Sequence, residues 1–302
     1  MDVVNIAAYK FVDLPEILAW RAPLREHCVA AGLKGTILLA PEGINLFLAG
    51  SRAGVDGFLE YLRGDALFRG AFSDLEAKRS LSERQPFRRM LVRIKKEIIT
   101  MRRPTLRPAG QRAAAVDAET LRRWLDQGHD DAGKPIVLLD TRNRFEVDLG
   151  TFENAITLEL THFGEFPDVL ARREASAPFL SQARVVTFCT GGIRCEKAAL
   201  YLQQEGGADV VQLDGGILKY FEQVGGAHWR GECFVFDDRV ALDPNLAQTA
   251  TRQCYACRSV LSLADQSDAR YVPGKSCPHC AAGTIAGAQS EPCKTDAVAT
   301  PL

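Results

Sequence analysis

The chain has 302 residues, too many for one ordinary core and enough for two or three domains. Charged residues make up 25%, apolar ones 46%, and the formal net charge is -1, a globular balance that argues against a wholly basic nucleic-acid binder. No apolar run reaches membrane-spanning length, and the start, Met1 to Asn5, has neither the basic residues nor the apolar core of a signal peptide, so no membrane association is expected. The nine cysteines fall mostly in local clusters rather than the spread of a secreted disulfide scaffold, which points to a reducing cytoplasm.

Residues 4–12 read as a strand and 16–30 as a helix, with Pro15 at its start, where a missing N–H costs little. Strands at 35–39 and 45–49 flank a turn and predict a hairpin. A second helix at 55–62 and a late strand at 90–99 complete the split βαβ order of an α+β ferredoxin-like domain over residues 1–100. From Lys78 to Arg107 there are eleven Lys or Arg and two Glu. That run is either a solvated strand and linker or a phosphate-backbone face, the second reading resting on Arg88, Arg89, Arg93, Lys95 and Lys96. Pro104 and Pro108 mark a linker over 101–112.

Residues 113–235 alternate short apolar strands with helices, the pattern of a parallel α/β sheet. Strands are expected at 135–139, 155–160, 184–188 and 209–213, and helices at 118–127, 144–149, 166–173, 197–205 and 217–223. Chemistry on such a sheet gathers at the carboxyl ends of its strands, where the Asp140, Cys189 and Asp214 segments all leave. From about residue 241 the character changes. Cys254-Tyr-Ala-Cys257 is followed by Cys277-Pro-His-Cys280, a spacing that fits a four-cysteine zinc ribbon over 241–285. A pair of redox dithiols is the alternative, and His279 could stand in for one sulfur. So small a segment with few large apolar residues needs a metal to fold. The small, polar residues 286–302 are expected to be disordered, and Cys293 is assigned no role.

The most reactive feature is the turn Cys189-Thr190-Gly191-Gly192-Ile193-Arg194. It joins an apolar strand to a helix, so the thiol faces amide groups that favour an anion. The glycines let those amides turn inward as a nest, and Arg194 adds a fixed charge that braces the loop and can donate to a bound anion. Both effects lower a thiol pKa, making Cys189 the candidate nucleophile. Cysteine phosphatases use a related loop that is one residue longer, so this narrower ring suits a phosphate monoester poorly. Cys195 can resolve an oxidised or persulfidated Cys189, or simply pack beneath the loop. Asp140 and Arg142 are read as supports for the loop. Cys28 and Cys233 are read as core fillers.

Leu139-Asp-Thr-Arg142, Phe145-Glu-Val, the stretch from Gly150 to Ile156, the Cys189–Arg194 loop and Asp214-Gly-Gly-Ile217 together resemble the motifs of a rhodanese module. That likeness alone implies sulfur transfer through a Cys189 persulfide. Adding Gly43-Ile-Asn45, the extension through Cys195-Glu-Lys197 and the cysteine-rich tail, the chain resembles the bacterial tRNA uridine hydroxylases of the TrhO type over about residues 4–280. The resemblance implies oxygen-dependent conversion of the tRNA wobble uridine to 5-hydroxyuridine, with Cys189 catalytic and Arg194 and Arg142 beside it. It also implies that the first domain and its basic strand help hold the anticodon arm; a cytoplasmic location and no obligate protein partner are expected as well. Molecular oxygen then serves as co-substrate. The residues themselves show no dinucleotide fingerprint, and the five histidines assemble no iron triad, so the sequence names no electron donor.

Overall fold

The computed structural model describes residues 3–174 and 182–281, in two compact units that divide between Ala250 and Thr251. The expected disordered tail at 286–302, the end of the expected zinc segment and Cys293 lie outside the described residues.

The first unit opens with β1 (Val3–Phe11), α1 (Ile17–Ala30), β2 (Lys34–Ala40), β3 (Gly43–Gly50), α2 (Arg52–Gly64), β4 (Lys78–Ser82) and β5 (Met90–Ile94). The sheet order is β4-β1-β3-β2-β5. Strands β4, β1, β3 and β2 pair antiparallel, as the ferredoxin-like order requires, and β5 adds to β2 in parallel. Two sequence readings change here. The fourth strand of the split pattern is β4, which sequence reading missed, and the basic late strand is instead a fifth strand on the opposite edge. The β4 sequence, Lys-Arg-Ser-Leu-Ser, carries little apolar alternation because an edge strand is kept polar. β5 also stops at Ile94 rather than 99: the Glu97 carboxylate accepts from the Met101 and Arg102 N–H groups and turns the chain away. Helix α2 begins at Ser51, whose hydroxyl accepts from the Gly54 N–H at 3.1 Å, and buries Val55, Phe58, Leu59 and Leu62 at helical spacing against the sheet.

The rest of the first unit contains β6 (Ala115–Val116), α3 (Ala118–Gln127), β7 (Ile136–Asp140), α4 (Arg144–Val147), β8 (Gly150–Phe152), β9 (Ile156–Thr157), α5 (Phe166–Glu174), β10 (Arg184–Phe188), α6 (Ile193–Gly206), β11 (Val210–Leu213) and α7 (Gly216–Val224). Strands β12 (Trp229–Gly231), β13 (Cys233–Phe234) and β14 (Ala241–Leu242) follow. The second sheet has the order β6-β11-β10-β7-β9, and every pair in it is parallel. Strand β6, two residues long, is too short to announce itself in sequence. Cores fill both faces. Val185, Leu158, Phe166 and Leu202 belong to one, and Val186, Phe188, Trp124 and Tyr220 to the other. The central strand β10 therefore delivers Cys189 at the carboxyl edge between Asp140 and Asp214, as expected. Cys28 and Cys233 are buried in the cores.

The second unit contains the short pair β15 (Arg252–Gln253) and β16 (Val260–Leu261), with α8 (Leu263–Ser267) and α9 (Pro278–Ala281). Its small core is made of Cys254, Leu261 and Cys277, against which Cys257, Tyr271 and Cys280 pack. No helix among the described residues is long and apolar enough to cross a membrane.

Candidate active site

Helix α6 starts directly after Gly192, four residues earlier than the sequence suggests, so Ile193, Arg194 and Cys195 form its first turn. This places the amides of Gly192 and Arg194 at the Cys189 sulfur, and the Gly192 N–H donates to it at 3.1 Å. Gly192 adopts φ +98°, open mainly to glycine, and a Cβ there would meet the Tyr9 hydroxyl at 2.9 Å. Gly216 closes the loop from below. Its missing side chain lets the chain pass within 2.4 Å, measured from the position of a Cβ, of the Cys189 carbonyl oxygen. That oxygen accepts from the Ile217 N–H at 3.0 Å, and the Thr190 carbonyl accepts from Leu218 at 3.2 Å.

Cys189 is fully buried, but in polar surroundings. Burial pushes its thiol up. The neighbouring Cys195 thiol, the Arg194 charge and the two loop amides overcome that and hold it well below the usual thiol range. Cys195 is driven the opposite way, by burial and by the neighbouring Cys189. The two thiols are thus pushed in opposite directions, and the Thr141 hydroxyl lies 3.8 Å from Cys195.

The side chain of Arg194 is committed to Glu146. Its two terminal nitrogens meet the two carboxylate oxygens at 2.6 and 2.7 Å, and both residues are buried. Arg194 therefore braces the loop and acts on Cys189 through its charge and its backbone N–H. Thr190 also reaches Glu146, at 3.3 Å. Asp140 and Arg142 form a second buried pair at 2.6 Å. Arg142 extends to the Gly150 carbonyl at 2.6 Å, and Asp140 accepts from Thr151 at 2.8 Å, which ties the end of β7 to β8.

The first sheet roofs this loop. Tyr9 on β1 donates to Glu196 at 3.1 Å, and Lys78 on β4 donates to the Gly191 carbonyl. Burial brings the Lys78 ammonium down to about 8. Lys197, almost wholly buried, joins Glu42 at 2.8 Å, Glu97 at 2.7 Å and the Ile99 carbonyl at 3.0 Å, fixing α6 to the first sheet. A groove of about 630 Å³ opens beside the roof, bordered by Tyr9, Lys78, Arg112, Glu196, Asp214 and Lys219. Sequence reasoning did not single out Tyr9, Lys78 or Glu146. Glu146 stands in the Phe145-Glu-Val motif and Lys78 in the basic run, but Tyr9 gives no local signal.

The proposed RNA-binding residues lie elsewhere on the first sheet. Arg88 and Arg89 are exposed just before β5, Arg93 is half-buried within it, and Lys95 and Lys96 are exposed after it. Four strand spacings, about 19 Å, separate β5 from β4, whose Lys78 reaches the cysteine loop.

In the second unit the sulfurs of Cys254, Cys257, Cys277 and Cys280 lie within 4.8 Å of one another and could hold a metal ion. Cys257 and Cys277 are 3.5 Å apart, and Cys277 and Cys280 3.7 Å. Sulfurs around a tetrahedral zinc sit about 3.8 Å apart, so the donor set fits that ion. His279 instead meets Asp265 at 3.2 Å.

Residues 3–98 match the UPF0176 acylphosphatase like domain, and residues 117–223 the rhodanese-like domain. A Cupriavidus taiwanensis protein named tRNA uridine(34) hydroxylase is 59% identical over 283 residues, covering 94% of this chain and 98% of that one. The chain belongs to the tRNA uridine(34) hydroxylase family. A Burkholderia thailandensis member of the family is 58% identical, covering 94% of this chain and 95% of its own. Among solved structures, the rhodanese-like domain of the Anabaena sp. Alr3790 protein is 21% identical, with a TM-score of 0.31, over 39% of this chain and 78% of that one. The family thus joins the two sheets described above, and its rhodanese-like part carries the Cys189 loop.

Proposed function

We propose that this chain hydroxylates uridine 34 of tRNA at C5, in the cytoplasm, using molecular oxygen and the Cys189 thiolate. The observation that carries the reading is near-full-length identity to named uridine(34) hydroxylases, together with a cysteine loop built to hold an anion. A thiolate that adds to C6 of uracil forms an S–C bond and moves the C5=C6 electron pair toward C5 and O4, leaving C5 nucleophilic. Dioxygen, two electrons from an external donor and, in net, two protons then supply the hydroxyl oxygen and one water; C5 loses its proton and the thiolate leaves C6 as the C5=C6 bond re-forms. The Cys189 sulfur has no exposed surface, so this step requires the roof of Tyr9 and Lys78 to shift. The test is nucleoside mass spectrometry of tRNA from cells lacking the protein. Wild-type protein should restore 5-hydroxyuridine and Cys189→Ala should not; restoration by Cys189→Ala ends the reading. Dependence on oxygen separates it from a sulfurtransferase working through a Cys189 persulfide.

The anticodon arm is proposed to lie along the first sheet, with Arg88, Arg89, Arg93, Lys95 and Lys96 on its phosphates. Replacing Arg88, Arg89 and Lys95 with alanine should weaken tRNA binding and lower the salt slope of log Kd by about two. An unchanged slope, measured by filter binding across salt concentrations, removes this face from the proposal.

The four sulfurs of the second unit are proposed to hold structural zinc, which when bound would tie β15 and β16 to α9. Elemental analysis should find about one zinc ion per chain. Cys257→Ser should lose most of it and make the second unit protease-sensitive. A zinc-free, protease-resistant wild-type protein would contradict this.

A further inference from the structure

Beside the cysteine loop lies a second, narrow cavity of about 50 Å³. Thr190 of the loop lines it, together with Phe47, Phe87 and Phe236. Phe236 sits in the turn between β13 and β14, packed edge-on to Phe234 and tilted against Phe47. The Arg194 guanidinium lies 5.9 Å from its ring centre. The ring is thus anchored, yet 48% of the residue is exposed. The turn itself is fixed to the first sheet, with the Asp238 N–H on the Pro86 carbonyl at 3.2 Å and Arg239 on Ser80 at 2.7 Å. An exposed aromatic on a rigid mount beside a reactive loop is a platform, not a stray core residue.

Lys78 borders both this slot and the larger polar groove. Its hydrogen bond goes to the neutral Gly191 carbonyl, and among the described residues it makes no close ion pair, the Cys189 and Asp214 charges acting on it only from farther off. Burial lowers its pKa to about 8, and an anion placed beside it would favour its charged form. A half-buried cation at the junction of an aromatic slot and a polar groove matches a phosphodiester with one nucleotide on each side. Unpaired RNA is held in this way, with bases on aromatic faces and cations on the backbone. The same charge disfavours a purely apolar peptide.

We propose that Phe236 is the stacking platform for the unpaired base next to the reacting uridine, and that Lys78 takes the phosphate joining the two. The proposal rests on the tRNA reading above.

The test uses the full-length protein with an anticodon stem–loop carrying 2-aminopurine beside uridine 34, on one side or the other in separate preparations. Wild-type protein should quench the fluorescence of one of the two. Phe236→Ala and Phe236→Leu should abolish the quench and raise KM for tRNA about tenfold, with kcat within about twofold. Phe236→Trp should retain both quench and KM. Lys78→Met should flatten the salt dependence of KM. Leucine preserves the packing on Phe234 and Phe47, so a defect shared by the leucine and alanine variants reports the lost aromatic face rather than misfolding. Quenching and KM unchanged in both variants overturn the platform. Wild-type protein that, supplied with oxygen and a chemical reductant, forms no 5-hydroxyuridine in the same preparations indicts the tRNA reading instead, whatever the fluorescence does.

Discussion

Replacing Cys189 by serine should lower the turnover number for 5-hydroxyuridine formation by at least about 10³-fold while leaving the fold intact. The loop amides, the Arg194–Glu146 pair and the contact at Gly216 do not depend on the sulfur, and a hydroxyl fits the same space. A hydroxyl differs from a thiol in acidity. The amides and the Arg194 charge that lower the Cys189 pKa are too weak to ionise an alcohol. The sulfur's protonation state can be read without access to it, from the ultraviolet thiolate absorbance of wild type minus that of Cys189→Ala. The sign follows from the balance at the site. Burial raises the thiol, the hydrogen bonds and charge lower it further, and the difference signal should persist as pH falls below about 8.5, the ordinary cysteine value. A signal that appears only above that pH, or a serine variant with wild-type turnover, would sink the nucleophile assignment.

The second large effect is expected at the Glu146–Arg194 pair. Both groups are buried and bound through two short contacts, so removing one strands the other's charge away from water. Arg194→Met should therefore cost about 3–5 kcal/mol of stability, seen as a clearly lower Tm. Burial by itself would raise the Glu146 pKa; the charges of Arg194 and Arg142 and the Asn143 N–H hold it below the ordinary carboxylate range. Without Arg194, Glu146 should become partly protonated near neutral pH. The same substitution removes a positive charge that lowers the Cys189 pKa, so the thiolate absorbance should shift to higher pH. Stability and thiol acidity should fall together because one guanidinium serves both. A variant with wild-type Tm and an unmoved thiolate titration would separate the pair from the loop.

The cysteine loop was legible in the sequence because its chemistry is local. A strand, two glycines and a helix start within a few residues dictate a turn with inward amides, and the fold realises it between β10 and α6. The partners of that loop were not legible. Glu146 meets Arg194 across 48 positions of chain, Lys78 meets Gly191 across 113, and Tyr9 meets Glu196 across 187. No periodicity encodes such distances. Strand β4 shows the same limit on a smaller scale: Leu81 is its one apolar residue, so its pairing with β1 is decided by the sheet it joins. The basic run was visible as composition, but only the sheet order splits it, with Lys78 on β4 at one edge and Arg88 to Lys96 around β5 at the other.

By itself, the sequence determined most of the α+β and α/β sheets, the anion-favouring turn at Cys189 and the four-cysteine cluster, because apolar alternation, glycine turns and CxxC spacing act over a few residues. The tertiary structure alone decided that the first sheet roofs the reactive loop, that Arg194 spends its side chain on Glu146, and that Phe236 stands open beside Thr190. Those contacts form only when chain segments far apart in sequence bury a common surface, and their energy comes from that shared burial rather than from any local preference.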